Sequence, residues 1–257
     1  NSAGTRSIIY GKTIDYVLAI KVVLSDGSLV EMSPLTAEEL DTKCRKKNLE
    51  GTCYSTVRKL AEENKEEILK RYPKILRRVG GYNLDEFIHV DRPFNLSRIM
   101  VGSEGTLGLA VQMTMRLVTL SKCSIVCSIQ FKSVLEALSV TPAILEHSPS
   151  AVELIDKLIL DTTHGKTEFE PLRGFITGDP GAILIVEFTA DTREEVTERL
   201  ERLETGMQKS GIGTGFYRAV HQSEQDRIWK LRQAALGLTM AKTGDAKAIS
   251  YVEDTAV

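Results

Sequence analysis

The chain has little from which to build a metal centre. Its four histidines, at positions 89, 147, 164 and 221, show no ligand spacing. The four cysteines, Cys44, Cys53, Cys123 and Cys127, include no C-x-x-C pair, which excludes zinc-ribbon and dithiol patterns. No apolar run approaches the roughly 18 to 20 residues that a spanning helix needs. With a net charge of −2 there is no basic excess to attract nucleic acid. The opening "NSAGTRS" lacks the charged segment and apolar core of a signal peptide. These absences point to a protein of a reducing, cytoplasmic setting, with no nucleic-acid partner, no membrane span and no metal site. The four cysteines are expected to be free thiols, with Cys123 and Cys127 on one face of a strand and buried.

Of the 257 residues, 42% are hydrophobic and 26% charged, a globular balance that suits one large domain or two modest ones. "GKTIDYVLAIKVVLSDGSLVEMSP" reads as a hairpin, with Asp26-Gly27 supplying the positive φ angles of a two-residue turn. Thr36 and Glu39 make a capping box before a helix. In the next helix Val57, Leu60, Ala61, Ile68 and Leu69 share a face, opposite the solvated Glu62, Glu63, Glu66 and Glu67, and Pro73 ends it. Val111, Met113, Met115 and Leu117 alternate with polar residues, as in a half-buried strand. Further on come the strand "CSIVCSIQF", a helix with Pro142 as an interruption, and "SAVELIDKLILDTTH", helical in spacing but open to a strand at its start. "AILIVEF" is an apolar strand, "TREEVTERLERLETGMQKSG" a helix stopped by Gly211, "GFYRAV" a strand and "SEQDRIWKLRQAALGLTMAK" a helix. The order predicts an α+β sandwich, with helices on one face of a mostly antiparallel sheet. The chain ends in the strand-like "YVEDTAV" and begins inside a loop without Met, so a piece of a longer protein is expected.

The stretch "VGSEGTLGLAVQMTMRLV" concentrates chemistry at Gly102, Ser103, Glu104, Gly105, Thr106 and Gly108. Glycine lets a backbone approach a phosphate or a flat ring. Free N–H groups in such a loop form an anion nest, and Ser103 and Thr106 add hydroxyls. Glu104 suits a turn cap or a pairing with a base rather than a phosphate contact. No Gly-Lys-Ser/Thr follows, so this is not a P-loop, and the strand that follows rules out the dinucleotide fingerprint. A structural turn and a ligand loop both stay open. "NSAGTRSIIYG" is a second polar glycine loop running towards a strand, and the two could converge on one ligand. Arg77 and Arg78 read as a solvated pair before an attractor of anions, and Trp229 as core.

"NSAGTRSIIYGKTIDYVLAIKVVLSDGS", "GGYNLDEF" and "MVGSEGTLGLAVQMTMRL" resemble, in order, elements of FAD-linked oxidases of the vanillyl-alcohol oxidase superfamily. The likeness is closest to the group of D-lactate dehydrogenases, glycolate oxidases and D-2-hydroxyglutarate dehydrogenases. The helical stretch at about 36–90 is similar to an insertion in large bacterial members, which carry an iron–sulfur region not seen here. The resemblance implies the second part of a PCMH-type FAD domain over 1–120 and part of a ferredoxin-like cap domain over 121–257. It implies hydride transfer from a D-2-hydroxy acid to flavin, then electron loss to an acceptor it does not identify. FAD would be contacted by Asn1, Ser2, Ala3, Gly4, Tyr10, Gly11, Gly102, Ser103, Glu104, Gly105, Thr106 and Gly108. Arg232, three residues after Trp229, would bind the substrate carboxylate. One departure is "SYVEDTA", which lacks the lysine that hydroxyglutarate enzymes place there. A parent peripheral to the inner membrane fits the group. Rival readings are an alcohol or sugar oxidase on the same FAD domain and a non-catalytic ligand-binding module.

Because the resemblance leaves parts of the flavin cradle outside these residues, the chain on its own is expected to fold, to be inactive and to lack bound FAD. Purified chain with near-stoichiometric flavin absorbance, or with turnover of D-lactate, would contradict this.

Overall fold

A three-stranded and a four-stranded antiparallel sheet organise the chain, and each must bury at least one face against helices. A computed structural model describes residues 1–89, 91–240 and 244–245. The run "YVEDTAV" and the substituted lysine position lie outside the described residues. The chain divides into two compact units between Val118 and Thr119. Among the described residues no helix is long and apolar enough to cross a membrane.

The first unit begins with a single helical turn, α1 (Ser7–Tyr10), so the first loop reaches its strand only after a helical detour. The hairpin is β1 (Val17–Val23) and β2 (Leu29–Met32), with Ile20 opposite Met32 and Val22 opposite Val30. Its turn is not the expected two-residue one. Leu24 and Ser28 still pair through N–H to carbonyl at 3.0 Å, and Gly27 alone has positive φ (81°). The Gly27 N–H closes a turn on the Leu24 carbonyl at 3.0 Å, giving a three-residue loop that ends in a left-handed glycine.

Next come α2 (Ala37–Cys44), α3 (Leu49–Glu63), α4 (Lys65–Arg71) and the short α5 (Ser97–Met100), and then β3 (Leu109–Met115). The Thr36–Glu39 capping box forms in both directions. The expected single helix through Leu69 breaks at Asn64. Val57, Ala61 and Ile68 are buried as expected, while Leu60 and Leu69 are exposed.

The sheet order is β2-β1-β3. A register shift between Val17 and Ala19 brings both Val17 and Ile20 inward, against strict alternation. Those residues, with Val22, Val30, Met32, Leu40, Tyr54, Leu96 and Met100, form the core. The expectation that β3 is half-buried fails. All seven of its residues are exposed and none joins that core, which draws its strand residues from β1 and β2.

The second unit alternates β4 (Cys123–Phe131), α6 (Val134–Leu145), β5 (Ala151–Asp156), α7 (Lys157–Thr163), β6 (Ala182–Ala190), α8 (Arg193–Lys209), β7 (Gly215–Ala219) and α9 (Gln222–Met240). The sheet order β5-β6-β4-β7, with α6 and α8 as crossovers, is the βαββαβ arrangement of a ferredoxin-like sandwich. The open choice in "SAVELIDKLILDTTH" resolves into strand then helix, divided at Asp156, whose carboxylate caps α7 by accepting the Ile159 N–H.

Helices cover both faces, not one. Leu184, Val186 and Phe188 pack with α6 and α8, whereas Ile183 and Ile185 pack with Ile159 and Leu160 of α7 and Ile228 and Leu231 of α9. Burial on both sides is why β6 is a continuous apolar run rather than an alternating one. Pro142 does not interrupt α6; the carbonyl it leaves without a helical donor belongs to the exposed Leu138. Helix α8 ends as expected at Gly211 (φ 64°), where the Ile212 N–H reaches the Met207 carbonyl and the Gly211 N–H reaches that of Gln208. All four cysteines are free; Cys127 is buried and Cys123 half-buried. Burial, and then the neighbouring Glu204 carboxylate, push the Cys127 thiol up.

The face assignment has a direct consequence. Phe188→Ala should destabilise the second unit by about 3–5 kcal/mol through cavity formation. Leu135→Ala, on the exposed side of α6, should stay within about 0.5 kcal/mol of the parent. Urea denaturation measures both, and equal midpoints would overturn the packing.

Candidate functional site

Three segments of the first unit carry the candidate residues. The turn after Met100 is unusual in its backbone. Gly102 (φ 88°), Glu104 (φ 51°) and Gly105 (φ 76°) are all left-handed, and Glu104 is one of two non-glycine residues in that region among the described residues. Such a conformation in a non-glycine residue persists only where its surroundings hold it. The Ser103 N–H donates to the Met100 carbonyl at 3.1 Å, and the Thr106 N–H and hydroxyl both donate to the Ser103 carbonyl, at 3.0 and 2.6 Å. The N–H groups of Glu104 and Gly105 have no partner among the described residues, and both residues are exposed. Two successive N–H groups are thus open to solvent at the tip of this turn. Among the described residues the Glu104 side chain has neither a turn-cap nor an ion-pair partner, which the expectation for it would have supplied.

The first loop meets this turn. A Cβ at Gly102 would come within 3.0 Å of the Asn1 Cβ, and near the Val79 and Gly81 carbonyls at 3.6 and 3.8 Å. The Asn1 Oδ1 accepts the Ile14 N–H at 3.1 Å, but its Nδ2 is buried without a partner among the described residues. The Ser2 carbonyl accepts the Thr13 N–H at 3.1 Å, the half-buried Ala3 follows, and the Gly4 carbonyl accepts the Ser7 N–H at 2.8 Å. Two of the predicted glycines have sufficient structural reasons. A Cβ on Gly11 would lie 2.4 Å from the Asp15 Oδ2, and one on Gly108 would lie 2.7 Å from Val22 Cγ1. Tyr10 is half-buried at the end of α1.

The third segment, residues 78–85, holds contacts that the sequence pattern does not single out. Arg78 is not half of a solvated pair: it is buried, while Arg77 is exposed. Its guanidinium donates to Asp85 Oδ2 at 2.5 Å and Asn83 Oδ1 at 3.1 Å, and lies 5.0 Å from the Tyr72 ring centre. These partners offset the desolvation that would otherwise keep the charge in water. The available signal is the amide and the carboxylate five and seven residues after Arg78, across a Gly-Gly bend. The Tyr82 hydroxyl bonds Thr106 Oγ1 at 2.8 Å. Beside it lies an apolar cavity of about 370 Å³, lined by Leu60, Tyr82, Met100 and Leu107 among others.

A family model described as FAD linked oxidases, C-terminal domain, matches residues 121–257, more than half of the chain. The chain belongs to the FAD linked oxidases. Over its full length it is 30% identical to a D-2-hydroxyglutarate dehydrogenase of Pantoea ananatis, of which it covers 26%. It is 24% identical to a D-lactate dehydrogenase of Anaerostipes hadrus, over 95% of this chain and 41% of that protein. It thus spans about a quarter of the length of the D-2-hydroxyglutarate dehydrogenase. A solved alkyldihydroxyacetonephosphate synthase superposes on 93% of this chain and 35% of its own, with TM-score 0.50 and 15% identity, which speaks to the fold alone.

Arg232 belongs to the second unit, on α9. It is not a free surface residue: Nε and Nη2 meet Glu153 Oε2 of β5 at 2.8 and 2.7 Å. Trp229 packs partly buried in the core cluster under α9, as the core reading has it.

Gly102→Ala combines a left-handed φ with contact against Asn1, so it should lower stability by about 1–2 kcal/mol. Gly4→Ala, with open space around it, should be near neutral. Indistinguishable melting curves would show that the two loops do not meet at Gly102.

Proposed function

We propose that this chain is part of an FAD-dependent dehydrogenase acting on a D-2-hydroxy acid of the D-2-hydroxyglutarate or D-lactate class. Residues 1–118 would contribute to the flavin side and the following unit to the substrate side. The observation that carries the reading is the junction of Asn1 with Gly102. It sets an unpartnered amide donor beside a left-handed turn that has two free N–H groups. That donor set fits the pyrophosphate and ring edges of a flavin, which are bound through backbone N–H groups and close approach. Asn1, Ser2, Ala3 and Gly4 would hold it from one side and Gly102, Ser103, Glu104, Gly105 and Thr106 from the other. Tyr10, Gly11 and Gly108 would shape the surround. A bound flavin supplies the hydride acceptor; the protein supplies position and field.

Arg232 is assigned to the substrate carboxylate. Glu153 takes the Nε and Nη2 hydrogens on a single oxygen, which holds the guanidinium plane and leaves Nη1 for a second carboxylate. The same ion pair favours a second reading, in which Arg232 only pins α9 to β5. In the protein as it occurs in its source, Arg232→Ala should lower kcat/KM for D-2-hydroxyglutarate or D-lactate by about 10- to 100-fold, the worth of a charge-assisted hydrogen bond. Flavin content should be unchanged. A variant that melts earlier but keeps kcat/KM would favour the pin.

A further inference from the structure

Tyr82 and Asn83 are adjacent in sequence, yet they hold opposite ends of the left-handed turn. Asn83 is fully buried, and its Nδ2 donates to the Arg98 carbonyl at 3.1 Å and the Val101 carbonyl at 2.7 Å. Those are carbonyls of the last turn of α5 and its capping residue, which a four-residue helix cannot satisfy itself. Asn83 therefore caps α5 from the side and sets the direction in which the chain enters Gly102. Its Oδ1 accepts from Arg78, which fixes which end of the amide faces the carbonyls. Arg78 is itself held by Asp85 and by the Tyr72 ring, and the Tyr72 hydroxyl donates to the Tyr82 carbonyl at 2.9 Å. At the far end Tyr82 Oη donates to Thr106 Oγ1, whose own hydrogen goes to the Ser103 carbonyl.

We propose that residues 78–83 form a positioning clamp for the glycine turn. Asn83, oriented by Arg78, holds its entry, and Tyr82 holds its exit, so that the Glu104 and Gly105 N–H groups stay aligned for an anionic ligand. The ligand part of this inference rests on the flavin reading above; the clamp does not.

Hydrogen exchange of the full chain tests it. Tyr82→Phe deletes one exposed hydroxyl, and Asn83→Asp keeps the shape and the Arg78 contact while removing both donors. Tyr82→Phe should speed exchange at the hydrogen-bonded amides of the turn, Ser103 and Thr106, about threefold to tenfold. Asn83→Asp should do so by more than about tenfold, with exchange across β1 and β2 unchanged. Equal exchange in the turn for Tyr82→Phe and the parent, or faster exchange spread evenly over the first unit in both variants, would overturn the clamp. Titration of FAD into the protein as it occurs in its source separates the two ideas. Weaker FAD binding in the variants, by about tenfold, supports both. Faster exchange in the turn with FAD binding unaltered supports the clamp and removes the flavin from this turn.

Discussion

Three left-handed residues in a four-residue stretch are the constraint on which the first unit's candidate site depends. Such a turn cannot satisfy its own carbonyls as a helix or strand would, so the neighbouring chain must do it. Asn83 takes the carbonyls before the turn, Thr106 takes the one inside it, and Tyr82 fixes Thr106. Asn1 fills the space that any side chain on Gly102 would need. The buried Arg78 then follows from Asn83, because an amide with both donors engaged still needs its oxygen directed. Among the described residues, the donors left without a partner where the two loops meet include the Asn1 amide nitrogen and the N–H groups of Glu104 and Gly105. Of these only the Asn1 nitrogen is buried, and buried donors without partners are uncommon in folded proteins.

The second unit depends on a different constraint, the double-sided burial of β4 and β6. Nine successive antiparallel pairs join them, and their side chains feed two separate cores. Few charges enter those cores. Glu204 is one, met by Arg218 through both carboxylate oxygens, and it lies close to the Cys127 thiol. Burial, and then that carboxylate, push the thiol up, so Cys127 is a packed side chain rather than a reactive one. Arg232 and Glu153 join α9 to β5 on the same principle at a less buried position.

Much of this was legible in the sequence where one local cause decides the outcome. The Thr36–Glu39 box, the stop at Gly211, the apolar run of β6 and the strand–helix order all appeared where the pattern put them. The errors arose where a distant element decides. Val111 and Met113 alternate correctly for a strand, but no pattern within a strand says that its sheet edge will go uncovered. Leu60 and Leu69 have the helical spacing of the buried Val57, Ala61 and Ile68, but no neighbouring element covers them closely enough to bury them. Arg78 looks solvated in sequence because its partners become neighbours only after the Gly80-Gly81 bend brings them back.

By itself, then, the sequence determined the alternation of elements and the family likeness, together with the two glycine loops in which chemistry had to be sought. Each of these depends on residues close together in the chain, through period, capping and φ preference. Only the tertiary structure decided that Asn1 lies against Gly102, that Gly108 is a glycine because Val22 lies against it, and that Arg232 has a carboxylate partner. Those are contacts between residues up to about a hundred positions apart. They are set by how sheets and helices cover one another, which no local pattern encodes.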